Sequence, residues 1–295
     1  MPTRDVLELA GPLDFAESLE PYRRSGDDLI DRWDGQRLLR TSDVGERVVA
    51  WRAEPAGDQA APALVLTFEA DLSAGEQASL RAAIRATFVP APPSWPELLA
   101  RDAVVARLDA AYPGLRPVLQ PDLLTGLIRG ISAQQVNLAW AATTRRRLAE
   151  AFGERHEIAG EPVYRLAAPR LAAVAPEAIR ALQFTNAKAR SIVEVAAAFA
   201  SGRIDPAALA VAPDATVIEQ LVSLRGIGRW SVDWALARTY GRPRVVAGDL
   251  GVRKAVARAY LDLPIAPEAD VRAATAHWGD CATVAQALLL RTLVP

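Results

Sequence analysis

The chain has 295 residues, about half of them hydrophobic, with 34 basic and 35 acidic side chains and a formal net charge of −1; that is enough for two domains with real cores, and too apolar and balanced for a disordered chain. Its single cysteine, Cys281, excludes an internal disulfide, an iron–sulfur cluster and a cysteine-built zinc site, and fits a reducing cytoplasm. No run approaches the roughly 20 apolar residues of a membrane span, and the N-terminus lacks a signal-peptide pattern, so a soluble cytoplasmic protein is expected, neither secreted nor membrane-embedded.

Strands come first in chain order. "DVLELAG", "GQRLLRT", "ERVVAWRAE" and "PALVLTFEA" alternate apolar and polar residues or are rich in β-branched ones. Helical stretches follow the first strand ("DFAESLEPYRRS") and the last ("AGEQASLRAAIRATF", with Leu80, Ile84 and Phe88 at four-residue spacing). The order β-α-β-β-β-α predicts an α+β domain over residues 1–90, one antiparallel sheet with helices on one face. Proline-rich "VPAPPSWPE" is the linker. From Glu97 onward no strand pattern stands out. Alanine- and leucine-rich segments broken by "YPGLRP", "FGERHEIAGEP", "SGRIDP" and "DLPIAPE" predict a larger all-α domain over 91–295, of about eight to ten helices.

Charge is unevenly spread. Residues 1–100 carry 10 basic and 17 acidic side chains and residues 101–295 carry 24 and 18, a hint of an anionic partner for the second half. Almost all the basic residues are arginine; Lys188 and Lys254 are the two lysines.

The stretch "LRGIGRWSVDWALARTYGRPRVVAGDLGVRKA" concentrates the chemistry. "TVIEQLVSL" and "RWSVDWALARTY" read as helices around the turn "RGIG", with Ile227 plugged into the core. Two glycines there allow either of two things: tight packing of an αα-hairpin, or close approach of backbone N–H groups to a phosphate, helped by the positive end of the second helix. Gly226, Gly228 and Ser231 are the natural donors in the second reading. Arg225 and Arg229, with Arg244 and Arg253, are the basic partners near it, whereas Arg145, Arg146 and Arg147 read as a solvated face. Asp249 stands at the N-cap of the next helix, where a carboxylate is a favoured cap and is also placed to meet a sugar held near that phosphate.

Taken together, "LRGIG", the helix after it and "GDLGVRKA" some twenty residues on resemble the helix-hairpin-helix DNA glycosylase superfamily, and within it the 3-methyladenine DNA glycosylase II type. The likeness extends to "GPLDF", "YPGLRPVLQPDLLTGLIRGISAQQVNLAWAA" and "LQFTNAKARSIVEVA". It implies that the hairpin grips the backbone of double-stranded DNA carrying a damaged purine, and that Asp249 is the catalytic carboxylate. Breaking an N-glycosidic bond puts positive charge on the sugar, which a carboxylate stabilises while orienting a water. An alkylated purine is already a cationic leaving group, so no dedicated general acid is needed. Lyase-type relatives carry a lysine just after the hairpin; Trp230 occupies that place, so a monofunctional enzyme is expected, and separately a monomer. The resemblance implies no cofactor beyond a possible monovalent cation on hairpin carbonyls.

Trp230 and Trp234, four apart on one helix face, are either core residues or an aromatic wall for an electron-poor base. Trp278 is a further pocket candidate. In "SAQQVN", Gln135 matches the position from which the family fills the gap left by an extruded base, with Gln134 beside it; a polar first turn of a helix is the plain alternative.

Overall fold

The computed structural model describes residues 3–294. Five strands, β1 (Thr3–Glu8), β2 (Arg32–Trp33), β3 (Leu38–Val44), β4 (Arg47–Gly57) and β5 (Pro62–Phe68), form an antiparallel sheet in the order β1-β5-β4-β3-β2. Two helices accompany it, α1 (Phe15–Ser25) and α2 (Ala74–Ala86). In β5 every second residue from Pro62 to Phe68 is buried, the period-2 signature of a sheet with one face in a core. Trp51, Leu64 and Leu66 from that face pack with Phe15 and Leu19 of α1 and with Leu80 and Ile84 of α2, so both helices cover the same side. Local chemistry starts each helix: Asp14 caps α1 by accepting the Glu17 N–H, and Ser73 and Glu76 form a reciprocal capping box on α2.

The second part is helical: α3 (Trp95–Arg101), α4 (Ala103–Ala111), α5 (Leu123–Ala133), α6 (Leu138–Phe152), α7 (Ala168–Ala172), α8 (Pro176–Ala181), α9 (Asn186–Ala200), α10 (Pro206–Val211), α11 (Asp214–Val222), α12 (Arg229–Arg238), α13 (Leu250–Val256), α14 (Glu268–Thr275) and α15 (Ala282–Arg291). They enclose two cores. One joins α5, α6, α9, α11 and α12; the other joins α3, α4, α13 and α15. Between α6 and α7 lies an addition the sequence reading took for punctuation, a β-hairpin of β6 (Glu154–Ile158) and β7 (Glu161–Arg165). Its turn, Ala159-Gly160, has positive φ at both residues (51° and 77°), the geometry of a tight hairpin turn, reached without the Asn-Gly or Asp-Gly that would announce it. Only Ile158 and Val163 bury fully, against Leu39 of β3; charged neighbours hide them in the sequence.

That hairpin and α1 lock the two parts together through charge. Asp28 and Asp31, in the loop after α1, are almost completely buried. Arg145 Nε donates to Asp28 at 2.8 Å and Arg129 reaches both carboxylates, at 3.0 Å and 2.5 Å. Burial alone would raise the Asp28 carboxyl, but Arg129 and Arg145 outweigh it and bring it down to about 2. Further pairs cross the same boundary: Asp43–Arg165 at 2.8 Å, Glu17–Arg291 at 2.6 Å and Arg37–Glu161 at 2.7 Å. Two sequence readings are corrected here. Arg145 is not part of a solvated face, because α6 turns it inward to neutralise Asp28 and to donate to Ser132 at 2.8 Å. The opposite charges of the two halves are partly complementary to each other, so the asymmetry is a weaker sign of an external anion than it looks.

Candidate active site

The site is built where three elements meet: the α11–α12 hairpin, the N-terminus of α13 and the turn between α5 and α6. Leu224 and Ile227 anchor the hairpin turn in the first helical core. Gly226 lies between them at φ +77°, and a Cβ on it would come within 2.3 Å of Ser191 Oγ, so conformation and space both demand glycine. Gly228 is different. Its φ is −100° and an added Cβ would meet nothing within 4 Å. Packing therefore does not demand a glycine at 228, and its bare backbone leaves the N-terminus of α12 uncovered. That N-terminus is open: Gly228 offers no capping side chain, and the first N–H bonded in helical register is that of Val232, to the Gly228 carbonyl at 3.2 Å. The N–H groups of Arg229, Trp230 and Ser231 lie in the preceding turn, where the helix dipole favours an anion.

The side chains around this turn divide. Arg225 and Arg229 are exposed: Arg225 lies 3.7 Å from Glu194, and Arg229 donates its Nε to Asp233 at 3.0 Å while half of its side chain stays open to solvent. Ser231 contributes only its N–H to this end of the helix: its hydroxyl is buried facing Gly130, without a hydrogen-bond partner among the described residues. Arg244 and Arg253, read from the sequence as phosphate partners, are committed elsewhere. Arg244 donates to buried Asp233 at 2.9 Å and also pairs with Asp214, and Arg253 donates to the Ala266 carbonyl at 2.7 Å.

Asp249 caps α13, its Oδ1 accepting the Val252 N–H at 3.0 Å. Its other oxygen, Oδ2, accepts both indole N–H groups that the sequence places four residues apart on α12, from Trp230 at 3.0 Å and Trp234 at 3.3 Å. Capping and aromatic contact are therefore one arrangement. Of the roughly four acceptor positions a carboxylate offers, three are filled, and the one left is on Oδ1. All three residues are half-buried, so the carboxylate is ordered without being sealed from solvent. Arg238 lies over the Trp234 ring, 5.9 Å from its centroid, and lines a cavity of about 180 Å³ with Tyr22, Gln120, Arg129 and Leu138. Asp249, Trp230 and Trp234 do not line that cavity, and those four lining residues come from α1, the loop before α5, α5 and α6, which the sequence does not bring together.

Trp278 is not part of this site. It is fully buried in the second helical core, with its indole N–H donated to Asp102 at 3.1 Å. Asp102 also accepts the Tyr260 hydroxyl and a His277 ring nitrogen, each at 2.7 Å; burial pushes its carboxyl up, and these bonds with the Val105 N–H outweigh that and hold it below the usual range. The chain kinks at Gly279, with φ +50°, immediately after Trp278.

The two glutamines also part company. The α5–α6 segment, helical on both sides, breaks at Gln134–Asn137, and Asn137 restarts it by capping α6. Gln134 is spent inside the protein, donating its Nε2 to the Gly226 carbonyl at 3.0 Å. Gln135 is exposed and stands at φ +57°, a left-handed conformation rare for a side chain without a special reason. Val136, Leu138 and Trp140 beside it are exposed apolar residues. Lys188, on α9, donates its Nζ to the carbonyls of Ser132 (2.9 Å) and Gln134 (2.7 Å).

An α+β sheet domain joined to a helical domain that presents a hairpin, an open helix N-terminus and an aspartate held by two indoles is the framework of a nucleic-acid repair protein. Residues 128–280 match the family described as "HhH-GPD superfamily base excision DNA repair protein", and the chain belongs to that family. Among curated relatives it is 30% identical over 147 residues to a DNA-3-methyladenine glycosylase of Bacillus subtilis, covering 48% of this chain and 47% of that one. It is 31% identical over 138 residues to DNA-3-methyladenine glycosylase 2 of Escherichia coli, covering 46% and 48%. The chain thus spans about half the length of these two relatives. A solved 3-methyladenine DNA-glycosylase from Archaeoglobus fulgidus superposes over 98% of this chain and 99% of that one with a TM-score of 0.85 at 21% identity, which establishes a shared fold across both domains.

Proposed function

We propose that the protein is a monofunctional DNA glycosylase of base-excision repair, which rotates a damaged purine out of duplex DNA and hydrolyses its N-glycosidic bond. The observation that carries this reading is the double indole grip on Asp249 Oδ2 beside the open N-terminus of α12. A helix cap needs one N–H partner, and a core tryptophan needs no carboxylate. Converging both tryptophans on a capping aspartate fixes its free Oδ1 position, as a reaction with a charged transition state requires.

In this reading the N–H groups at the start of α12, with Arg225 and Arg229, take a backbone phosphate, and Gln135 occupies the gap in the helix. The extruded nucleotide brings its sugar to Asp249 and its base against the indoles, whose N–H edges point at the carboxylate and whose faces, apart from the side of Trp234 under Arg238, are left to stack on an electron-poor ring. As the C1′–N bond stretches, Asp249 stabilises the positive charge on the sugar. Its free Oδ1 position accepts a proton from the water that captures C1′, and the base leaves with the bonding pair. A Schiff-base route needs an amine at this place, and Lys188 is engaged with two carbonyls of the α5–α6 turn.

The substrate class best suited to the site is alkylated purines of the 3-methyladenine type, whose charge makes them good leaving groups; the names of the curated relatives support the same class. The partner is double-stranded DNA, and the protein acts as a cytoplasmic monomer without an organic cofactor. A monovalent cation is compatible with the hairpin. The Gly226 carbonyl uses one of its two lone pairs on Gln134, which leaves the other for an ion.

The test uses labelled duplexes carrying 3-methyladenine-type lesions, hypoxanthine or 1,N6-ethenoadenine, split between hot alkali and no treatment. Strand cleavage only after alkali, reduced about 10³-fold or more in Asp249→Asn, is the expected result. Lesion-dependent binding with no base release from any duplex refutes the enzyme and leaves a damage-recognition module with Asp249 as a cap.

A further inference from the structure

Helix α9 lies under both elements that the proposed function sets on DNA. On the hairpin side, Ser191 fills the space beneath Gly226, and Glu194 accepts the Arg225 N–H at 3.3 Å. On the other side, Lys188 binds the Ser132 and Gln134 carbonyls, and Gln134 closes the circuit by donating to the Gly226 carbonyl. The phosphate-gripping hairpin, α9 and the Gln134–Asn137 turn are thereby tied into one ring of contacts.

Lysine suits its place in that ring. The two carbonyls lie at the C-terminal end of α5, where the helix dipole favours a cation and the backbone acceptors lack helical partners. An ammonium carries three donors on a compact tip and can reach converging carbonyls, whereas a planar guanidinium fits acceptors arranged in its own plane. In a chain whose 34 basic side chains include only two lysines, Lys188 and Lys254, a lysine here stands out. Desolvation pushes its ammonium below the usual lysine range, as expected for a charge drawn into backbone acceptors. The carbonyl it grips most closely, that of Gln134, immediately precedes the left-handed Gln135. A non-glycine residue is strained in that conformation and keeps it only where its surroundings impose it.

We propose that Lys188 is a positioning residue. By clamping the Ser132 and Gln134 carbonyls it holds Gln135 in its left-handed conformation, aimed outward and in fixed register with the hairpin, so that docking a phosphate also sets the gap-filling side chain. This rests on the reading that Gln135 enters the DNA helix.

The experiment compares the wild-type protein with Lys188→Met and Lys188→Arg. Hydrogen exchange of the free protein reads the turn itself, and a duplex containing 2-aminopurine reads base extrusion by fluorescence, with its affinity measured by anisotropy. In Lys188→Met the amides of residues 132–134, the last hydrogen-bonded ones before the turn, exchange at least about tenfold faster while those of α12 stay unchanged. The duplex binds within about threefold of wild type, since the phosphate contacts remain, but the extrusion signal falls by about tenfold, and Lys188→Arg recovers part of it. Unchanged exchange in Lys188→Met overturns the clamp, and faster exchange with a full extrusion signal overturns its role in aiming Gln135. Wild-type protein that binds the duplex without any extrusion sinks the glycosylase reading instead, and the exchange result then judges the clamp by itself.

Discussion

Two glycines in one turn make opposite predictions, and substituting each separates packing from phosphate binding. Gly226→Ala puts a methyl group 2.3 Å from Ser191 Oγ and 2.9 Å from its Cβ at φ +77°. The left-handed conformation costs about 1–2 kcal/mol and the overpacking about 1–3 kcal/mol, for a loss of about 2–5 kcal/mol of folding stability. Gly228→Val adds a side chain at an extended φ of −100° with open space around it. Valine is a poor N-cap compared with glycine, so the folding cost stays under about 1 kcal/mol. Its branched side chain nevertheless screens the N–H groups at the start of α12. Losing one charge-assisted bond to a phosphate is worth about 1.5–3 kcal/mol, or roughly a 10- to 100-fold weaker complex. Urea unfolding measures the first quantity, and anisotropy on a labelled duplex at one fixed salt concentration measures the second. Gly228→Val protein that is stable and binds DNA as tightly as wild type refutes the assignment of this turn to a phosphate. The glycine would then have no consequence that either assay can detect.

Other outcomes follow from the ion pairs and the tryptophans. The Asp28 carboxyl, ordinarily near 3.8, is held at about 2 in the fold, so its contribution is complete above about pH 4 and is lost as the pH falls from there toward 2. The difference amounts to about 2 kcal/mol. Urea unfolding at pH 6, 4 and 3 should show the decline, with a flatter profile in Asp28→Asn; identical profiles for the two proteins would contradict it. Trp278→Phe should cost about 1–3 kcal/mol of stability through the lost bond to Asp102 while leaving base release unchanged. Trp234→Phe should do the reverse, lowering the single-turnover rate about tenfold or more through Asp249 with a smaller effect on folding. Equal kinetic effects of the two substitutions would show that Trp278 belongs to the site after all.

What the sequence determined by itself is local. Alternation placed strands β1, β3, β4 and β5, four-residue spacing placed α2, and glycine with aspartate at fixed offsets placed the α11–α12 turn and the cap on α13. These signals are legible because each is set by neighbours within a few residues. The hairpin β6–β7 escaped because its stability lies in two residues covered by β3, more than a hundred positions away. Arginines proved the least legible. The same side chain is solvated in Arg146, pairs with a buried carboxylate in Arg145 and lies over an indole in Arg238, and nothing in the helical pattern of "TTRRRLAE" separates the first two. Ion pairs and indole contacts are made between distant segments, so only tertiary structure could decide which charges are spent inside the protein. Tertiary structure likewise turned Trp278 inward, set Trp230 and Trp234 on one carboxylate oxygen, and gave Lys188 to the backbone of the turn that carries Gln135.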